Sequence, residues 1–146
     1  MPKTIVGFLL AAVFLFTMTV GAVYAHHAFA AEFDAQLPIA VQGEVTRVDW
    51  INPHAWIYVM DEDTTQEWML EAGTPNTLLR RGVTKTILTV GTEVQVRGYQ
   101  SKDKICEPVC RGSGRDITFP DGTSLFMGSS GTGAPRDGAD PTEPGR

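Results

Sequence analysis

The longest alternating pattern of apolar residues runs from Ile39 to Trp50, in the segment IAVQGEVTRVDW. Apolar residues occupy alternate positions up to Val45 and then move to the other parity, at Val48 and Trp50. Alternation predicts a β-strand, and a change of parity within one strand predicts a bulge or a sharp bend. Gly43 favours the same bend because a residue without a side chain allows close backbone approach. The pattern therefore predicts a long, bent first strand.

Two shorter strands follow a break at Asn52-Pro53, where proline removes a ladder donor and directs its predecessor towards turn geometry. The segment HAWIYVM, which begins at His54, predicts the second strand, and QEWML, which ends at Leu70, predicts the third. The acidic stretch DEDTT between them predicts a turn. Three strands in a meander are expected.

A short helix is predicted in TPNTLLRRG. Thr74 is a suitable N-cap, and Pro75 lies in the first turn, where its missing N–H costs no hydrogen bond. Leu78 and Leu79 are predicted to form the apolar face, and the helix is expected to end before Gly82.

The remaining elements are β-strands. The segment GTEVQVRGY alternates valines and predicts strand four, and GRDITF with TSLFM predicts a final hairpin through Pro120-Asp121-Gly122. Three strands, a helix and further strands, with a long bent first strand, are typical of an OB-fold, a five-stranded Greek-key barrel with a helix between strands 3 and 4. A generic small β-sandwich or half-barrel is the alternative.

The two ends of the chain are predicted to lie outside the folded domain. Residues 1–25 have an early lysine, an apolar run and a small-residue site that favours cleavage after Ala25, with cleavage after Ala22 as the rival. An uncleaved membrane anchor is the third alternative, because the apolar run is nearly long enough to span a bilayer. The glycine- and proline-rich residues 128–146 are predicted to be disordered. One domain, residues 26–127, is left between them.

The charge of the chain bears on its partners. The formal net charge is −5, with 12 basic and 17 acidic residues, and no basic run occurs. Nucleic acid is therefore excluded as an expected partner, because backbone phosphates are bound by clustered lysine and arginine. A membrane partner is expected only if the signal segment stays uncleaved.

The three histidines suggest a metal site. Cleavage after Ala25 would make His26 the amino terminus, with an α-amine and an imidazole that could chelate one ion, and His54 could supply a third nitrogen. His27 offers a second geometry, in which the amine, an amide and the imidazole bind together. Planar nitrogen ligation favours copper(II) over zinc. The alternatives are a frayed terminus and, for His54, a hydrogen bond that caps the turn. No cofactor is otherwise indicated.

Cys106 and Cys110, in the segment CEPVC, are predicted to form a disulfide, because exported proteins meet an oxidising compartment and no third cysteine is present. The segment must turn for the two α-carbons to approach, and Pro108 makes a turn reasonable. In an OB-fold this loop, the loop with His54 and the amino terminus could gather at one rim. Copper-thiolate chemistry is the alternative.

A ligand face is predicted beside His54, with Asn52 and Trp56 as candidate residues. Trp50 and Trp68, like Trp56, are expected mainly to fill the core or the mouth of the barrel. The acidic residues from Asp61 to Glu71 are interpreted as solvated edges and a turn. The chain contains no G-x-S-x-G elbow, phosphate loop, dinucleotide fingerprint or haem-attachment motif, so a non-enzymatic protein is expected.

The segments HHAFAAEFD, GEVTRVDWINPHAWIYV, GTPNTLLRRG, GTEVQVRGY and FPDGTSLF together resemble a family of small exported bacterial proteins without an assigned function. The resemblance extends from His26 to Ser130, and the His-His pair with Asn-Pro-His-Ala-Trp is its most recognisable part. It implies an exported domain of unknown role. The segment CEPVC departs from the family pattern, which makes the cysteines a local addition.

Two functions follow from the sequence. The first is an exported, periplasmic or secreted, non-enzymatic binding or accessory protein whose partner is an unknown periplasmic protein or small ligand. The alternative is a copper(II)-binding protein that uses His26, His27 and His54.

Overall fold

The computed structural model describes residues 29–128, and the fold is mainly β. The strands are β1 Phe33–Asp49, β2 Trp56–Asp61, β3 Glu67–Glu71, β4 Glu93–Ser101, β5 Cys110–Thr118 and β6 Ser124–Phe126. Helix α1 covers residues 29–32 and helix α2 covers Pro75–Arg80. The predicted signal segment, the histidines at 26 and 27 and the tail after residue 128 lie outside the described residues.

Five of the strands close into a ring. β1 pairs with both β2 and β4, β2 pairs with β3, and β4 pairs with β5, all antiparallel. The ring is closed by β3 and β5, which run parallel, with Trp68 opposite Cys110 and Glu71 opposite Ser113. The order of elements expected from the sequence is confirmed, including a helix between β3 and β4.

The sheet has six strands: the five of the ring, and β6, which is the second strand of the predicted final hairpin. β6 pairs with the last residues of β5, where Asp116 lies opposite Phe126, whereas β3 pairs with the first residues of β5. The same edge of β5 thus pairs first with β3 and then with β6, because β3 is shorter than β5. Gly128, assigned to the tail from the sequence, donates its backbone N–H to the Arg115 carbonyl at 3.1 Å.

The bend of β1 lies where the parity of its apolar residues changes. The strand begins at Phe33, earlier than the predicted Ile39, and its register with β2 shifts between Val45 and Arg47. Val45 is fully buried, as the alternation predicts. The predicted bulge is therefore confirmed, and it lets one strand belong to both halves of the ring.

Helix α2 begins with the N-cap and the first-turn proline that the sequence predicts. Thr74 caps it, with Oγ1 accepting from the Thr77 N–H at 3.2 Å, and Pro75 lies in the first turn. Leu78 is buried, but Leu79 is 44% exposed, which corrects the prediction that both face the core. In a helix of six residues, neighbouring positions point about 100° apart, so only one can face the ring. Neither helix among the described residues is long and apolar enough to cross a membrane.

The main core fills the ring. Its buried side chains include Ile57, Leu70 and Val96, and the partly buried Trp50 and Trp68 pack against it, as expected for core-filling tryptophans. A second, smaller cluster joins Phe29, Phe33 and Tyr99, whose side chains are each at most 3% exposed. It anchors the start of the described chain to β4.

Candidate functional site

The imidazole of His54 is held by a carboxylate. Nδ1 of His54 lies 2.6 Å from Oε1 of Glu71, the last residue of β3. Ala55, which is fully buried, exchanges backbone hydrogen bonds with Ala72 and Gly73 and so fixes the β1–β2 loop beside the end of β3. Because Nδ1 is bonded to Glu71, Nε2 is the imidazole nitrogen left for a ligand.

A row of paired residues extends from this ion pair across the ring. Trp56 lies opposite Glu71, Glu71 opposite Ser113, and Ser113 opposite Tyr99. Directly paired residues project from the same face of a sheet, and this face is turned away from the main core, since Ile57 and Leu70 point inward. Neighbouring strands are about 4.8 Å apart, so the backbones of Glu71 and Tyr99 are separated by about 10 Å.

Arg111 of β5 lies on the same face and contacts several of these groups. Its Nη2 is 2.6 Å from Oε2 of Glu32 in α1, and its guanidinium carbon is 5.6 Å from the centre of the Trp56 ring. The ring of Phe33 is 5.9 Å from the same carbon. The guanidinium therefore links the amino-terminal helix to the strand that carries Trp56.

The side chains of His54, Arg111 and Glu32 all influence the Glu71 carboxyl. Burial raises the pKa of Glu71 above its ordinary value of 4.5. The interactions with His54 and Arg111 oppose this rise in pKa, and the negative charge of Glu32 adds to it. The Glu71 side chain is only 10% exposed, so burial is the largest of these effects.

The raised pKa of Glu71 predicts a pH-dependent contribution to stability. A carboxyl with a raised folded-state pKa contributes stability that is fully present below its unfolded pKa, near 4.5, and lost as pH rises through the folded value. Glutamine does not ionise, so Glu71→Gln is free of this loss of stability. The difference in unfolding free energy, variant minus original chain, should therefore increase from about pH 4 to pH 7.

Urea unfolding at several pH values is the measurement. Glu62→Gln, which removes an exposed carboxylate from the β2–β3 turn, is the control and should leave the pH profile of the original chain unchanged. A Glu71→Gln profile parallel to that of the original chain would contradict the burial effect.

The structure corrects the sequence interpretation of this site in two respects. Glu71, interpreted as a solvated edge residue, is buried, because β5 lies along the outer edge of β3. His54 does not cap its turn through the backbone but contacts the Glu71 side chain. The acidic turn is confirmed, with Asp61 Oδ1 accepting from the N–H groups of Asp63 and Thr64.

The predicted Cys106–Cys110 disulfide is present. It lies beside the β2–β3 turn, where Gln66 Nε2 donates to the Pro108 carbonyl at 3.3 Å, and not beside His54. Because β3 and β5 are parallel, the start of β5 adjoins the start of β3, whereas His54 adjoins its end. The expected gathering of histidine and cysteines at one rim is therefore wrong.

No group of three or more His, Cys, Asp or Glu side chains within residues 29–128 is arranged to hold a metal. His26 and His27 precede these residues, so the structure does not test the three-histidine site predicted from the sequence. Of its members the structure describes His54 alone.

Asn52 and Trp56 were the predicted ligand-face residues. Trp56 is partly buried on the face that carries Glu71 and Arg111, and it is absent from the set of side chains packed against the main core. Asn52 is exposed in the β1–β2 loop, and its peptide bond to Pro53 is cis. Each is two residues from His54 in the chain.

A family model of unknown function, DUF6152, matches residues 15–107, more than half of the chain. The chain belongs to this family. No curated protein and no solved structure matches it. The DUF6152 match ends at Glu107, inside the loop that the disulfide closes, and is thus shorter than the resemblance inferred as far as Ser130. Cys110 and Arg111 lie beyond the matched residues.

Sequence reasoning missed Glu32, Glu71 and Arg111. Glu71 follows the apolar WML of β3, so a charged residue at the end of a buried strand was the available signal. Glu32 and Arg111 are far apart in sequence and meet only because the amino-terminal segment lies over β5. No local pattern indicates such a contact.

Proposed function

We propose that this protein is an exported, non-enzymatic binding protein of the OB-fold type, and that its ligand face is the surface around Trp56, Glu71 and Arg111. The observation that carries the proposal is the placement of Trp56 and a charged network on the outer face of β2, β3 and β5. In OB-folds the face of strands 2 and 3 and the loops beside it hold the ligand.

The strand pairing supports the OB-fold assignment. A five-stranded ring in which the first strand pairs with the second and fourth, and the third runs parallel to the fifth, agrees with a Greek-key barrel of this type. The helix between β3 and β4 is in agreement too. Export is supported by the signal-like segment 1–25 and by the disulfide, which an oxidising compartment maintains. Amino-terminal sequencing of the exported protein tests this part.

The ligand face is tested by Trp56→Ala. A tryptophan at the centre of a binding face commonly contributes about 2 kcal/mol or more, so affinity for a ligand captured from periplasmic extract should fall by about tenfold or more. The measurement compares recovery of that ligand on the immobilised original and variant proteins.

Leu79→Ala is the matched control, because it truncates an exposed apolar residue on helix α2 and not on the strands that carry this face. Equal recovery by Trp56→Ala and Leu79→Ala would contradict the assignment of the face. Turnover of a substrate by the purified protein would contradict the non-enzymatic function.

Copper(II) binding is the second candidate function, and the contact between His54 and Glu71 favours it. A carboxylate bonded to one imidazole nitrogen orients the other towards a metal and raises its basicity. Phe29, the first described residue, packs on Tyr99 of the same row, so the described chain begins on this face of the sheet.

This candidate requires cleavage after Ala25, which exposes the α-amine of His26. Calorimetric titration of copper(II) into the processed protein and into His54→Ala tests it.

A further inference from the structure

Arg111 is only partly satisfied by its own chain. Glu32 meets the guanidinium at one nitrogen, Nη2, at 2.6 Å. Nε of Arg111 is buried, and no hydrogen-bond partner for it exists among residues 29–128. A carboxylate that approaches a guanidinium from the side bonds Nε and one Nη together, and such bidentate pairs are stronger and more directional than single contacts. Glu32 thus uses half of the binding capacity of that edge.

The segment that carries Glu32 is attached separately from the main core. Phe29 and Phe33 pack with Tyr99 in the smaller cluster, with ring centres 5.5 Å apart for Phe29 and Tyr99. The backbone N–H of Lys102 donates to the Glu32 carbonyl at 2.9 Å, and the Lys102 ammonium contacts the Ala30 carbonyl. Loss of these contacts would expose the small cluster and leave the main core closed.

The backbone pairing of this segment with the sheet is interrupted. In the pairing of β1 with β4, Phe33 lies opposite Ser101 and the next paired residue is Pro38, opposite Tyr99. The residues between Phe33 and Pro38 have no partner in this ladder. The start of β1 can therefore leave Arg111 without disturbing the ladder from Pro38 onward.

We propose that Arg111 and Trp56 form a binding site for a carboxylate that carries an aromatic group, and that Glu32 and Phe33 occupy this site in the unliganded protein. The inference rests on the proposed ligand face and names the chemistry of its ligand. A bound carboxylate replaces Glu32 and engages both Nε and Nη2, while its aromatic group replaces the Phe33 ring near the guanidinium and beside Trp56.

The charges around Arg111 explain why the ligand needs both a carboxylate and an aromatic group. Arg111 interacts electrostatically with the carboxylates of Glu71 and Glu32. These two carboxylates repel a further anion unless Glu32 moves away. A ligand without an aromatic group replaces one contact of Glu32 and gains nothing from the Trp56 ring. The carboxylate can belong to a small aromatic acid or to the carboxyl terminus of a protein that ends in an aromatic residue.

The experiment uses the full exported chain and calorimetry. The probes are N-acetyl-L-phenylalanine, its amide, and a pentapeptide with carboxyl-terminal phenylalanine. Binding of the acid with at least about tenfold preference over the amide is expected, because only the acid forms charge-assisted hydrogen bonds. Tighter binding of the pentapeptide identifies a protein terminus as the source, and tighter binding of the single amino acid identifies a small acid.

Three variants define the site. Glu32→Gln removes the internal competitor and should bind the acid about tenfold more tightly. Arg111→Lys keeps the charge but removes the planar fork, and it should reduce the preference for acid over amide, because a single ammonium contact replaces the bidentate pair. Arg47→Lys is the matched control, since Arg47 also stacks on an aromatic ring, at 3.7 Å from the centre of Tyr58, and pairs with Asp49. It should bind the acid as the original chain does.

Equal binding of acid and amide by the original chain overturns the inference, and this comparison does not depend on whether any variant folds. Unchanged affinity in a folded Glu32→Gln protein overturns it as well. If Trp56→Ala still loses the ligand captured from periplasm in that case, the binding face stands and only its ligand class is wrong.

Discussion

Gly43→Ala is expected to destabilise the fold by about 3 kcal/mol or more, because a steric clash and backbone strain act at the same residue. A Cβ atom built on Gly43 would lie 1.9 Å from the Met60 carbonyl oxygen, and the φ angle of Gly43 is +155°. Gly43 is paired with Asp61 of β2 and with Val94 of β4, so neither neighbour can move away without opening the ring.

Thermal unfolding followed by circular dichroism measures this effect. For a domain of about 100 residues, a loss of about 3 kcal/mol corresponds to a fall in Tm of about 12 °C or more. Gly122→Ala is the matched control, because Gly122 has a φ angle of +83° but no atom lies within 4 Å of the position that a Cβ would take there. It should cost only about 1 kcal/mol, through backbone strain alone. Equal losses in the two variants would show that the close approach at Met60 is unimportant.

Copper(II) should bind one equivalent of the correctly processed protein, and His54→Ala should weaken this binding by about 100-fold if His54 is the third nitrogen ligand. Loss of a partner that merely orients a ligand already costs about 10- to 100-fold in metal affinity, and loss of the ligand itself should cost no less. One residue added ahead of His26 should have a similar effect, since it destroys the chelate of amine and imidazole. Calorimetry gives the affinity, and electron paramagnetic resonance reports nitrogen-rich, near-planar ligation.

His27→Ala separates the two geometries, because it leaves the His26 chelate intact and abolishes binding through the second position. Affinity should fall with pH, since the imidazoles, with reference pKa values of about 6.5, and the amine, at about 7.7–8.0, must lose protons to coordinate. If neither the added residue nor His54→Ala changes the copper affinity, the proposed copper function is contradicted.

The local structure of this protein could be read from short stretches of sequence. The order of strands and helix, the cap at Thr74 and the bulge after Val45 each depend on residues that are close together in the chain. Alternation and capping are determined by backbone hydrogen bonds and side-chain direction within a few residues, so their signals are local. The disulfide followed from the number of cysteines and the expected compartment.

The site depends on contacts that only the tertiary structure determines. The parallel pairing of β3 with β5 buries Glu71 and places Cys110 away from His54, and no local pattern states which strands pair. Glu32 reaches Arg111 because the amino-terminal segment packs on Tyr99, across a large separation in sequence. The sequence alone therefore determined the strands and the helix between β3 and β4, and it indicated His54 as a candidate site residue. The closure of the ring decided which charged groups surround it, because burial and ion pairing arise between strands that are distant in the chain.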